Sequence, residues 1–166
     1  FAGFTYIRPY LELVPHFGVE MITAILLAFG IGGFFGNIAG GFIAERSTRL
    51  SITLAASGVA VTALILALFG VSPVIAAVAT AAWGFAFGAL PVSVQSFISR
   101  AAGDEAEGAG AATLTTFQIA ISTGAILGGL IVELQGPAGV FLFSALAALL
   151  GASLVTVSRK MLVQVG

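Results

Sequence analysis

The side chains in this sequence that can do chemistry are few, polar rather than nucleophilic, and set at helical spacing. Thr115, Gln118 and Ser122 stand at i, i+3 and i+7, which puts two hydroxyls and an amide on one helix face. Trp83, Phe87, Pro91 and Gln95 recur at steps of four, an edge of rings and an amide around a proline. Thr5, Arg8 and Glu12 share a third face, with Tyr6 beside them. Groups of these kinds hold a ligand and do not cut bonds. The rings of Tyr6, Trp83 and Phe87 offer stacking surface, while Arg8, Gln95 and Gln118 offer hydrogen-bonding groups. Pro9 and Pro91 each deprive a backbone carbonyl of its intrahelical donor, and a ligand or water can use such a carbonyl.

The inventory excludes most covalent chemistry. There is no cysteine, so disulfides, thiolate zinc sites and cysteine nucleophiles are impossible. His16 is the single histidine, too few for a histidine metal cluster, and no cofactor is expected. A net charge of -1 offers no field for nucleic acid. An enzyme is therefore not expected.

These polar groups sit in segments that water cannot solvate. Hydrophobic residues make up 59% of the 166 residues and charged ones 8%, against roughly 25% charged in a soluble domain. Residues 21–44, 50–99, 108–132 and 134–158 contain no charge at all. Each run reaches the ~20 residues that a helix needs to cross ~30 Å of hydrocarbon. Gly70-Val71-Ser72-Pro73 is a turn signal that divides the longest run in two. The expected spans are 20–44, 50–69, 73–98, 108–132 and 138–158, with 1–14 a sixth, incomplete one whose first turns are expected to be missing. The whole chain reads as one transmembrane domain, with no basic leader or cleavage site of a signal peptide before the first apolar stretch. A backbone in lipid must satisfy its own hydrogen bonds, which leaves helical bundles or closed barrels. Residues 24–31 and 59–69 lack the polar–apolar alternation of barrel strands, so the fold class is all-α, a polytopic helical bundle in the lipid bilayer.

Arg46 and Arg49, Arg100, and Arg159 with Lys160 follow alternate spans, and the intervening connections hold no basic residue. The positive-inside rule places that side, and the C-terminus, in the cytoplasm of a multi-pass protein of the cell membrane. Gly32-x3-Gly36-x3-Gly40, Gly84-x3-Gly88 and Gly124-x3-Gly128 are packing seams, either static or sliding during gating. Several polar residues have two readings. Arg8 is an anchor paired with Glu12 or a substrate-facing guanidinium. Gln95 and Gln118 bond between helices or to substrate, and Trp83 packs the core or lines the path. His16 and Glu133 lie at the outer edges, solvated.

The run Gly41-Phe42-Ile43-Ala44-Glu45-Arg46-Ser47-Thr48-Arg49 resembles the signature loop Gly-x3-Asp/Glu-Arg-x-Gly-Arg of the major facilitator superfamily, with Thr48 in place of the second glycine. The run from Phe4 to Glu12 (Phe-Thr-Tyr-Ile-Arg-Pro-Tyr-Leu-Glu) resembles the seventh helix of the drug:proton antiporter-1 branch, particularly its purine ribonucleoside and arabinose efflux members. Trp83-Gly84-x3-Gly88-x2-Pro91-x3-Gln95, with Ile98-Ser99-Arg100 and Asp104-x-Ala106-Glu107-x-Ala109-Gly110 after it, is similar to the tenth helix and next loop of that group. The resemblance covers nearly the whole chain and implies helices seven to twelve of a twelve-helix secondary transporter, arranged as two inverted three-helix repeats. It implies alternating access, with a small-molecule substrate bound at the midplane against a six-helix N-terminal half that is missing here. It further implies proton-driven efflux of a small polar metabolite, with purine ribonucleosides placed ahead of sugars and drugs. Gly41, Glu45, Arg46 and Arg49 would form a gating latch or set topology; Thr5, Tyr6, Arg8, Trp83, Phe87, Gln95, Thr115, Gln118 and Ser122 would line the substrate path. No Asp or Glu is placed for proton coupling, which points to the absent half. The competing expectation is a membrane scaffold without transport, its polar faces used entirely in interhelical pairing.

Overall fold

The computed structural model describes residues 1–163, and the side chains of all of these except Ala106 and residues 156–163. Six helices follow one another: α1 Ala2–Leu13, α2 Val19–Arg46, α3 Thr48–Phe69, α4 Pro73–Ala102, α5 Ala106–Gln135 and α6 Pro137–Val163. A short 3-10 turn, Gly103–Glu105, joins α4 to α5. Five of these helices, α2 to α6, are long and apolar enough to cross a membrane. They run past the charge-free stretches because a helix can keep its hydrogen bonds into the headgroup zone, where Glu20, Arg46 and Arg100 are solvated. The side chains of Arg159 and Lys160 lie outside the described residues.

Turn chemistry sets the ends. Ser47 alone separates α2 from α3; it is extended (φ -158°, ψ 106°), and its hydroxyl caps α3 by accepting from the Leu50 N–H at 3.2 Å. Pro73 and Pro137 open α4 and α6, where a missing N–H is harmless. Gly103 and Gly136 take positive φ at the breaks on either side of α5. His16 does the same at φ 57° without being glycine, and this lets the Phe17 N–H return to the Leu11 carbonyl at 3.0 Å. A left-handed L-residue costs roughly 1–2 kcal/mol. His16→Gly is therefore expected to raise thermal stability in detergent by up to about 1 kcal/mol, after the entropy that glycine adds to the unfolded chain. An unchanged or lower melting temperature would show that the imidazole has a stabilising role of its own.

Of the five helices long enough to span, α3 and α4 are the most enclosed and organise the bundle, whereas α2 and α5 are the least buried. The neighbour pattern obeys a twofold exchange of α1 with α4, α2 with α5 and α3 with α6: α2 packs on α4 as α5 packs on α1, α3 on α4 as α6 on α1, and α3 meets α6. This is the arrangement of two inverted three-helix repeats. Exposed Leu27, Ile31, Phe34 and Phe35 on α2, and Ile119, Ile126 and Leu130 on α5, are surface that lipid can solvate.

The glycine seams pair in a way that spacing alone left open. Gly32 and Gly40 of α2 face α4 so closely that a Cβ would lie 2.8 Å from the Ala81 carbonyl oxygen and 2.9 Å from that of Ala89. Between them, a Cβ on Gly36 would overlap the Phe85 carbonyl, one on Gly84 the Phe29 carbonyl, and one on Gly88 the Gly33 carbonyl. The third seam serves a different contact. Gly124 and Gly128 of α5 seat α1, with Gly128 2.6 Å from the Tyr6 ring by the same measure.

Polar ties then fix the helices. Ser51 of α3 donates to the Gly40 carbonyl at 2.8 Å and lies 2.6 Å from the Ser93 hydroxyl of α4. At the other end α1 is held on three sides: its Gly3 N–H donates to the Ser144 hydroxyl of α6 at 3.1 Å, Tyr6 to the Ala125 carbonyl of α5 at 2.9 Å, and Tyr10 to the Leu66 carbonyl of α3.

Candidate functional site

α1 places its residues by a simple rotation. Ile7, Tyr10 and Leu11 turn into the core, which leaves Phe4, Thr5, Arg8 and Glu12 on the opposite, exposed face. Arg8 forms an ion pair with Glu12, Nε to Oε1 2.9 Å, with the two side chains 65% and 41% exposed. The paired arrangement is thus the one present, on a surface that is open. Thr5 Oγ1 stays near the Phe1 carbonyl at 3.4 Å.

Phe4 opens the motif run but is not among the residues expected to line the substrate path, yet it forms the ring surface of the site. It stacks on Phe87 of α4, centroids 5.5 Å apart and planes 5° from parallel, and remains 48% exposed. Its signal was present in the sequence, because Phe4, Arg8 and Glu12 recur at steps of four. Trp83 lies behind this stack at 1% exposure, touching Phe29 at 5.5 Å, Phe87 at 5.7 Å and Phe141 at 5.5 Å. In this conformation Trp83 supports the aromatic surface from the core, while Phe4 and the half-buried Phe87 present it. The indole N–H of Trp83 and the hydroxyl of Thr80, one turn away on α4, have no hydrogen-bond partner among the described residues.

α5 adds the hydrogen-bonding component. Gln118 and Ser122 are exposed, and Ala125 continues their stripe at i+7 from Gln118; the Tyr6 hydroxyl lands on the Ala125 carbonyl. Tyr6 therefore joins the polar face of α5 to the open face of α1. Thr115 is exposed on the same face, but its hydroxyl proton is directed to the Ala111 carbonyl at 3.1 Å. Gln118 and Ser122 make no side-chain hydrogen bond among the described residues, so their donors and acceptors are open. Behind this surface a cavity of about 340 Å3 runs between α1, α4, α5 and α6, touched by Phe1, Trp83, Phe87, Thr123 and Ser144.

Gln95 does not join that group. It lies two turns beyond Phe87 on α4, about 12 Å at 1.5 Å per residue, in a separate cleft with Gly41, Glu45 and Arg100. A residue read as substrate-facing thus shares its surroundings with the signature loop. Within the loop, Glu45 and Arg46 are exposed, Arg49 is half-buried, and Glu45 and Arg46 form no ion pair with each other. Arg100, outside the signature, reaches α2 instead: its Nη2 donates to the Glu45 carbonyl at 3.1 Å. A cation at a helix C-terminus meets both an orphan carbonyl and the negative end of the helix dipole, which is the signal that could have marked it. No group of three or more metal-ligating side chains occurs among the described residues.

The protein-family profile described as Major Facilitator Superfamily matches residues 1–161. The chain is 38% identical over 161 residues to the purine ribonucleoside efflux pump NepI of Escherichia coli strain K12 and of Shigella flexneri, and 37% identical to that of Escherichia coli O157:H7. Each alignment covers 97% of this chain and 41% of the relative, so the chain spans about two-fifths of the length of the curated relatives it matches. No solved structure matches it.

Proposed function

This chain belongs to the major facilitator superfamily, and from that premise we propose that it forms one six-helix half of an efflux transporter for purine ribonucleosides. The relatives named above are pumps for that substrate class, and the similarity extends along nearly the whole of this chain. The observation that carries the reading is the joined surface of α1, α4 and α5. There, a stacked pair of rings (Phe4 on Phe87) joins α1 to α4, and the Tyr6 hydroxyl ties α1 to α5, the helix that carries the open groups of Gln118 and Ser122. Exposed polar groups at membrane depth need a neighbour other than acyl chains. A purine stacks on such a ring pair, and an amide with a hydroxyl can bond its edges or the ribose.

A second six-helix half closes this surface into a central cavity, and transport proceeds by alternating access. The arginine-bearing end faces the cytoplasm of a cell-membrane protein. The proton gradient drives export. The acidic residues of this chain lie near helix ends or in the α4–α5 turn rather than at the middle of a span, whereas a coupling carboxylate must be partly buried to titrate near neutrality, so that group belongs to the other half.

The test is export of labelled inosine and arabinose by cells carrying the full-length transporter. Gln118→Ala and Ser122→Ala are each expected to slow inosine export about five-fold, the equivalent of one lost hydrogen bond of about 1 kcal/mol, at unchanged protein level. Export no faster than from cells with an empty vector would remove the reading.

A further inference from the structure

A cleft of about 380 Å3 opens between the last turn of α2 and the last turns of α4, lined by Gly41, Glu45, Gln95, Ser96, Ser99 and Arg100. Arg100 directs one N–H to the Glu45 carbonyl, which the end of α2 leaves without an intrahelical donor. A guanidinium has five N–H donors, so four remain. Among the described residues the Glu45 carboxylate has no ion-pair partner, and the side chains of Gln95, Ser96 and Ser99 have no hydrogen-bond partner. Ser93 and Ser153 donate to carbonyls four and three residues back, whereas Ser96 and Ser99 make no such bond. Gly41 has nothing within 4 Å of where a Cβ would stand, which leaves the α2 wall open.

The charges of this cleft, one carboxylate and one guanidinium, sum to zero. A carboxylate is acceptor-only, so it welcomes hydroxyl donors and repels a phosphate. Selecting a ligand against its own phosphorylated form requires a repulsive element, and Glu45 is the one this cleft contains. The cleft also leads onward: Gln95 Nε2 would lie 3.6 Å from a Cβ on Gly110 of α5, and Gln118 is eight residues further along that helix, about 12 Å.

We propose that this cleft is an entry site for a neutral, hydroxyl-rich ligand, taking a ribonucleoside and excluding its phosphorylated form. The inference rests on the nucleoside-export reading and adds where the ligand enters and what rejects the nucleotide. Glu45 accepts the vicinal ribose hydroxyls, the same pairing by which an acidic residue holds ribose in dinucleotide sites. Gln95 and Arg100 donate to oxygens or ring nitrogens of the ligand.

The absence of cysteine from this chain makes single-cysteine probes selective. In the full-length transporter, with cysteines elsewhere replaced, Ser99→Cys is labelled by a membrane-impermeant maleimide in inside-out vesicles, in the presence of inosine, inosine monophosphate or arabinose. Ser96→Cys replaces it if Ser99→Cys does not reach the membrane. Inosine is expected to slow labelling at least five-fold and inosine monophosphate to leave it unchanged. With Glu45→Gln added, inosine monophosphate is expected to slow labelling at least five-fold as well. Vesicles that transport inosine while labelling ignores it, or while Glu45→Gln still excludes the nucleotide, would overturn the cleft and leave the export reading standing. Protection by arabinose with neither protection by nor transport of inosine would keep the cleft as a site for neutral polyols and remove the nucleoside. Protection by none of the three would overturn the cleft.

Discussion

Gly36→Leu is expected to abolish both the accumulation of folded transporter and its export activity. The obstacle that its side chain would meet is the Phe85 carbonyl of α4, which is backbone and cannot rotate away. Relief would require α2 and α4 to separate along their whole seam, where Gly32, Gly40, Gly84 and Gly88 are in comparable backbone contact. Overpacking of a core costs about 1–3 kcal/mol when side chains can adjust; here they cannot, so the effect should exceed that range. In lipid, association rests on this close packing rather than on exclusion of water, so nothing else compensates. Gly30 of α2 is the control. It has nothing within 4 Å of a Cβ position, and Gly30→Ala should fold normally, helped by better helix propensity. Size-exclusion profiles of detergent extracts would separate the two variants. A monodisperse Gly36→Leu protein with wild-type transport would show that the seam opens freely.

Trp83→Ala should produce the second-largest loss, about 3 kcal/mol of stability or more. The indole is the hub where Phe29, Phe87 and Phe141 meet, and its removal leaves a void behind the exposed Phe4–Phe87 stack. The void matters in a membrane as in water, because its lining loses dispersion contacts outright. Trp83→Phe should cost much less. It keeps a ring at the hub and discards an N–H that has no acceptor among the described residues, so no hydrogen bond seen there is lost. Thermal unfolding in detergent would rank the variants, with Trp83→Phe close to the wild type. Equal losses in both would mean that the indole N–H has a partner in another conformation of the transport cycle.

The two variants also separate what could be read along the chain from what could not. A helix in lipid must be apolar for about 20 residues and must satisfy its own backbone, so the charge-free runs and their Gly, Ser and Pro breaks were enough to read a helical membrane bundle. The 3.6-residue period was enough to put Gln118 with Ser122 and Arg8 with Glu12, since neighbours on one helix face are a local property. Family membership was likewise readable, because the signature loop and the runs around Arg8 and Trp83 are continuous in sequence.

Contacts between helices are decided by rotation, tilt and depth, which a single helix does not encode. Spacing marked three glycine seams but not that two of them face each other while the third seats α1. It marked Trp83, Phe87 and Gln95 as one edge of α4. Packing then drew Trp83 into the core, left Phe87 half-buried beneath Phe4, and put Gln95 about 12 Å further along, beside Glu45 and Arg100. Arg100 and Glu45 are 55 residues apart and meet only because α2 and α4 pack backbone to backbone. Hydropathy and period are properties of one segment against its solvent, and the chain carries both in full. Which polar groups share a cleft depends on how two surfaces fit, and only the folded bundle supplies that.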